Sequence, residues 1–349
     1  MEYRTHKTGR MSYTFFFSVL SCFDGRLSAA ILSAFLQCPA FFCGCTTFES
    51  GAPVRKAQQI YIQWSKNPRP EAIDVFFFDT SGARNLDAYQ RVQLNDAAAA
   101  YGLSCRGGRQ LVALSASPDT LLPWARIRTY SDLCKYRFSL TADSPERPLL
   151  SGEVLLEDGA SRRVGLTLRS HLVSVRLRSV SCDFRDRPYA GTLFRNDLIY
   201  LQYAGAEVRP LGTGNGAPVS FLNPGWLDSA AVLSLPRPEL LLQPGVGEVG
   251  PERVVADRTF WCYANPAREA ALGSPVTRLV LEGVCAGKRC YYPIELPGLR
   301  AGCSYEISLT LRAMGSPDPD LPVRGDTVLI ETATVPWEVS APCIIPLSR

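Results

Sequence analysis

From residue 57 to its end, the chain alternates apolar and polar residues in short runs separated by turn residues. A period of two sends successive side chains to opposite faces of a strand, so such runs build sheets and not helices. AQQIYIQW (57–64) alternates Ile60, Ile62 and Trp64 with Tyr61 and Gln63. LVSVRLRSV (172–180) alternates Val173, Val175 and Leu177 with Ser174, Arg176 and Arg178, the pattern of a strand with one wet face. AIDVFFFD (72–79) is a continuous apolar run of strand length, which suits a strand covered on both faces. Strands are also expected at 109–117, 136–143, 153–158, 164–169, 197–204, 259–265, 277–284, 290–296, 303–313, 326–335 and 343–347. Only 94–103 and 116–134 could hold short helices. Many short strands at regular spacing imply an all-β protein built of β-sandwiches. No internal period is visible, which argues against solenoids and propellers.

The N-terminus has a different character. Leu27 to Gly44 is an uncharged, mostly apolar run directly after Arg26, the pattern of a secretory signal peptide. The run ends in Phe42-Cys43-Gly44-Cys45. A small residue before a cysteine after an apolar stretch resembles the lipobox of bacterial lipoproteins, in which the cysteine is acylated and the chain is cut before it. Cys45 is the expected lipid attachment site, and residues 1–44 are the expected signal peptide. Several acyl chains suffice for stable anchoring. Removing 1–44 takes away four basic and two acidic residues, so the net charge falls from +4 to +2. That balance offers no electrostatic footprint for nucleic acid.

Chemistry-bearing residues are sparse. The chain has two histidines, and His6 lies in the expected signal peptide, leaving His171 alone. This excludes a histidine-rich metal site, and a lone histidine at the start of a strand is expected to be structural. No GxSxG, HExxH or GxxxxGK[ST] motif occurs, and the glycines of LGTGNGAP (211–218) fit a surface loop. No catalytic site, metal site or cofactor is expected. Eight of twelve cysteines follow Cys45, without the repeated CxxC spacing of a zinc site. Cys285 and Cys290 are expected side by side across a hairpin whose turn is Ala-Gly-Lys-Arg. Buried free thiols and disulfides both remain open for the eight. MGSPDPDLPV (314–323) holds three prolines and two aspartates, the composition of a rigid crossing between strands.

Several segments taken together resemble the fimbrial subunits of type V pili, the Bacteroidia fimbrillin-like lipoproteins. They are IDVFFFDTSGARNLDAYQRV (73–92), GGRQLVALSAS (107–117), TFWCYAN (259–265), SPVTRLVLEGVCAGKRCYYPIELPGL (274–299), CSYEISLTLRAMGSPDPDLPV (303–323) and a last Val-Pro-Trp (335–337). The resemblance implies two tandem transthyretin-like β-sandwich domains, expected at 45–163 and 164–349. It implies a non-catalytic accessory or tip-like subunit, exported to the outer membrane as a lipoprotein and displayed on the cell surface for adhesion. Implied partners are other fimbrial subunits, the membrane through the lipid, and a host protein or glycan receptor. Assembly is implied to proceed by donor-strand exchange: a protease removes an N-terminal strand, and a partner's terminal strand takes its place. The strand to be lost is expected between Cys45 and about Gln63, with processing near Arg55. Cys343, Ile344, Ile345 and Leu347 suit either a donor strand or a strand of the chain's own sheet. The alternative is a surface lipoprotein that binds glycan on exposed aromatics, with five tryptophans available, and never polymerises.

Overall fold

The computed structural model describes residues 58–63, 70–93, 103–104, 109–115, 126–156, 163–211, 217–223, 233, 237–271, 273–321, 323, 326–337 and 343–348. Among these, nearly everything is strand. The first half holds β1 (Gln58–Gln63), β2 (Ala72–Asp79), β3 (Leu86–Gln93), β4 (Leu103–Ser104), β5 (Arg109–Ser115), a five-residue helix α1 (Tyr130–Cys134), β6 (Phe138–Ser139), β7 (Leu150–Leu156), β8 (Arg163–Thr167) and β9 (Arg169–Ser170). The second half holds β10 (Leu172–Cys182), β11 (Phe194–Gln202), β12 (Ala204–Val208), β13 (Pro218–Leu222), β14 (Leu242–Val249), β15 (Val254–Tyr263), β16 (Arg278–Cys285), β17 (Lys288–Glu295), β18 (Cys303–Leu311) and β19 (Val328–Pro336). The last strand is β20 (Cys343–Ser348).

Four sheets result. Two are built mainly from the first half, in the orders β4-β20-β1-β8 and β3-β2-β5-β7-β9. The other two run β13-β12-β15-β10-β18-β19 and β14-β11-β16-β17. Two strands cross between the halves. β6 pairs with β12 through Glu207↔Ser139 and Val208↔Phe138, and β20 returns from the far end of the chain to pair with β1. Residues from 54 onward accordingly form one compact unit. The expected division between residues 163 and 164 falls at the start of β8.

The apolar run of β2 is buried along its length, as a strand covered on both faces requires. Phe76 and Phe78 enter a core shared with Leu172, Val175, Phe260 and Leu309 of the second half. Tyr89 and Tyr130 lie against those two rings, at centroid distances of 5.0 and 5.7 Å. The two first-half sheets approach closely at β7 and β8. A Cβ on Gly152 would stand 2.5 Å from the carbonyl oxygen of Thr167, so this position accepts only glycine.

Two sequence expectations need correction. YRFSLTAD forms only the two-residue β6 before turning at residues 140–142, because Phe138 and Leu140 anchor it to β12 rather than to a long partner. Cys285 and Cys290 share one face of the hairpin as diagonal neighbours and are not directly opposite. Ala286 (φ 50°) and Gly287 (φ 72°) make a two-residue turn, which sets Cys285 opposite Lys288 and Cys290 opposite Gly283. Strands β3, β12, β13 and β14 carry no clear alternation and lie outside the expected strands.

One buried amide holds the second half in register. β11 bulges between Asn196 and Leu198 against both neighbours. The Asn196 side chain, 2% exposed, donates to the carbonyls of Leu198 (2.9 Å) and Glu282 (3.0 Å) and accepts from the Val246 N–H (3.0 Å). It thus replaces ladder bonds that the bulge removes. Asn196→Ala is expected to lose about 3 kcal/mol by leaving these groups unpaired. Denaturant unfolding measures this, and a loss below about 1 kcal/mol would contradict the role given to the amide.

Candidate functional site

The candidate site of the first half is built around β1. It lies inside its sheet, antiparallel to β20 from Gln58↔Leu347 to Ile62↔Cys343 and parallel to β8 from Gln59↔Arg163 to Gln63↔Thr167. Both main-chain edges of this six-residue strand are therefore occupied. Ile62 is fully buried. At the strand's end, the Gln63 side chain donates to Thr167 Oγ1 (2.9 Å) and the Gln63 carbonyl accepts from the Leu168 N–H (2.7 Å). A cleft of about 460 Å³ opens there, lined by Gln63, Arg169, Gly302, Cys303, Pro336 and Trp337. Removing β1 would leave a slot with one antiparallel wall, β20, and one parallel wall, β8.

β20 depends on β1. Its other neighbour is the short β4, which it meets only at Leu347↔Leu103 and Ser348↔Ser104. Cys343, Ile344, Ile345 and Leu347 all sit in this strand, so in the monomer they complete the chain's own sheet. Cys45 and Arg55 lie outside the described residues. Arg55 precedes the start of β1 by three residues, so a cut there leaves β1 in the chain.

The other singled-out residues occupy structural positions. His171 is 5% exposed and its Nε2 lies 2.6 Å from Ser151 Oγ, which donates to the Pro210 carbonyl at 3.1 Å. The imidazole therefore donates through Nε2, and burial lowers its pKa to about 4. Among the described residues no carboxylate hydrogen-bonds to it. Asp143 is also buried and accepts from the Ser144 N–H (2.8 Å), the Leu149 N–H (2.9 Å) and Tyr263 OH (3.0 Å). Burial raises its pKa to about 6. Asp320 accepts from Gln202 (2.5 Å) and Tyr203 (3.0 Å), which ties the proline-rich 314–323 crossing to the end of β11. Among the described residues no group of three or more His, Cys, Asp or Glu side chains could hold a metal. Cys134, Cys182, Cys262, Cys285, Cys290 and Cys303 are free thiols, and all but Cys134 are buried. Trp261 and Trp337 pack against each other at 5.8 Å, half-buried, while Trp64, Trp124 and Trp226 lie outside the described residues.

No family model and no curated protein matches the sequence. Solved structures do match the fold. A protein assigned to cell adhesion from Bacteroides eggerthii superposes with a TM-score of 0.55 at 15% identity, over 81% of this chain and 97% of that one. A second, from Parabacteroides distasonis, gives 0.55 at 11% identity, over 80% and 96%. A fimbrilin from Porphyromonas gingivalis gives 0.52 at 12% identity, over 80% and 97%. This chain has their fold. The coverage matters more than the identity, since both halves and nearly the whole of each neighbour are included. The slot strand was legible in the sequence as the alternating run 57–64, but its two-sided pairing was not, because both partners are remote in the chain.

The His171 assignment has a pH signature. The unfolded chain protonates His171 near pH 6.5 and the folded chain only near 4, so its stabilising contribution is complete above about pH 6.5 and is lost as pH falls toward 4. Asp143 acts oppositely, since its raised pKa contributes stability below about 3.8 that is lost as pH rises through about 6. A difference measurement separates them. Relative to the parent, His171→Gln is expected to gain about 3 kcal/mol between pH 7 and pH 4. A difference independent of pH in urea titrations would contradict the buried neutral imidazole.

Proposed function

We propose that the chain is a non-catalytic subunit of a surface fimbria, accessory or tip-like in the fibre, assembled by strand exchange at the β1 slot. The observation that carries this reading is the placement of β1 between β20 and β8. A fold shared with fimbrial and adhesion proteins over four-fifths of the chain supports it. In this reading residues 1–44 direct export, acylated Cys45 holds the precursor at the outer membrane, and the mature subunit stands at the cell surface. Two sandwiches make up the subunit, residues 58–170 with β20 forming one and 172–336 the other. Partners are other subunits and a protein or glycan receptor.

Processing follows from the register. Cleavage at Arg55 separates the chain from its lipid and keeps β1. Vacating the slot needs a second cut after Lys66, because the other basic residue between β1 and β2, Arg69, is followed by Pro70, whose ring blocks cleavage there. Loss of β1 then has a linked effect, because β20 retains only its two-residue contact with β4. Freed in this way, β20 supplies Cys343, Ile344, Ile345 and Leu347 as the donor strand for a neighbour. Main-chain pairing provides affinity, and alternate side chains provide specificity. Glycan binding without polymerisation has less behind it. Such a platform needs open aromatic faces, whereas Trp261 and Trp337 are half-buried and tilted by 59° against each other.

Surface material sheared from cells tests the proposal when run unboiled and boiled on a denaturing gel. The expected result is a heat-sensitive ladder containing this chain. Deletion of 343–348 should abolish the ladder while leaving the unfolding of the second half unchanged. An acylated monomer found only in the membrane fraction would contradict assembly.

A further inference from the structure

Sheet edges are exposed templates for strand pairing, and proteins usually blunt them with proline, charge or bulges. Most edges here are blunted. β14 holds Pro244 and Gly245 and is bulged, and β13 opens on Pro218 with two register shifts. β17 carries Lys288, Arg289 and Pro293. β3 carries Asp87 and Arg91 opposite a register shift. β4 and β9 are two residues long, and β8 has only five residues, among them Arg163 and Gly165.

β19 is different. Its nine residues pair with β18 without a break, from Cys303↔Pro336 to Leu311↔Val328. Proline comes only at its last position, and Glu331 is its single charge, already met by Arg253 at 3.3 Å. Every residue after Val328 is exposed, with Leu329 at 40%, Ile330 at 41% and Val335 at 49%. Among the described residues no backbone group outside β18 pairs with this strand between 328 and 335.

We propose that β19 pairs antiparallel with β19 of a second copy of the chain, about a two-fold axis at Thr332. The sequence VLIETATVP is complementary to itself in that register. Leu329 then faces Val335, Ile330 faces Thr334, and Glu331 faces Ala333, so no like charges stand opposite each other. Moving the axis by one residue to Glu331 would set the two glutamates face to face, which is destabilising. The pairing joins the two β10-containing sheets into one continuous sheet. A single strand pair is small beside the roughly 1,200–2,000 Å² of stable interfaces, so the contact is weak in dilute solution and favoured where copies are crowded on a surface. The contact lies on a different sheet from β1, so it goes beyond strand exchange and does not require it.

Sedimentation velocity over a concentration series tests this on the purified protein. A reversible monomer–dimer equilibrium is expected. Ile330→Lys and Val335→Lys, both at exposed positions, should each abolish the dimer without shifting the melting temperature. Thr332→Cys should yield a disulfide-linked dimer under mild oxidation, because it faces its own copy across the axis within disulfide range. Leu329→Cys should not, because it faces Val335. Overturning results are a monomer at every concentration, a dimer that survives both lysines, or cross-linking of Leu329→Cys as readily as Thr332→Cys. A ladder of higher oligomers that needs β20 would assign the association to strand exchange and likewise overturn self-pairing at β19.

Discussion

Main-chain pairing at β1 is the constraint on which the first half depends. Six residues near the start of the described chain satisfy a parallel neighbour on one side and an antiparallel neighbour on the other. Unpaired N–H and C=O groups in a buried sheet are costly, so the slot is stable only when a strand fills it. Which strand fills it is decided by side chains at alternate positions, and Ile62 is one that the interior fully buries. Because β20 rests on β1 and touches β4 at two residues only, the terminal strand is coupled to the fate of the first. The first and last strands thus close this sheet together.

The rest of the molecule is less easily opened. The halves share an apolar core from Phe76 to Leu311, and polar groups join them within it. Asp143, from the first half, receives Tyr263 OH from the second, and the Leu140 N–H donates to Ala206 O at 2.8 Å. Ser151 links the His171 ring to the Pro210 carbonyl. These groups are buried and, apart from His171 Nδ1, hydrogen-bonded, so separating the halves would break several hydrogen bonds at once. The two halves thus form one tightly joined body, with β1 and β20 closing a sheet at its margin.

Legibility in the sequence followed pattern length. β2, β10, β16, β18 and β19 were readable because each sustains a clear period or an unbroken apolar run, and their observed limits lie within a few residues of expectation. The segment 136–143 misled because three alternating apolar residues suffice to suggest a strand, whereas turns at 140–142 stop it. β14 escaped notice because Pro244, Gly245 and Gly247 look like a loop, yet an edge strand tolerates them. At the site, residues 343–347 were recognisable as a strand of ambiguous destiny. Their pairing with residues almost 300 positions earlier follows from topology, which no local pattern encodes. The resemblance of scattered segments pointed to the fold that the solved structures share with this chain.

The central claim is that the β1 slot is vacated and refilled on assembly. N-terminal sequencing of this chain, recovered from sheared surface polymer, tests it most directly. The account predicts a mature terminus at Asn67, immediately after Lys66, with β1 gone. A polymerised chain that begins before Gln58 and still carries Gln58–Gln63 would contradict it.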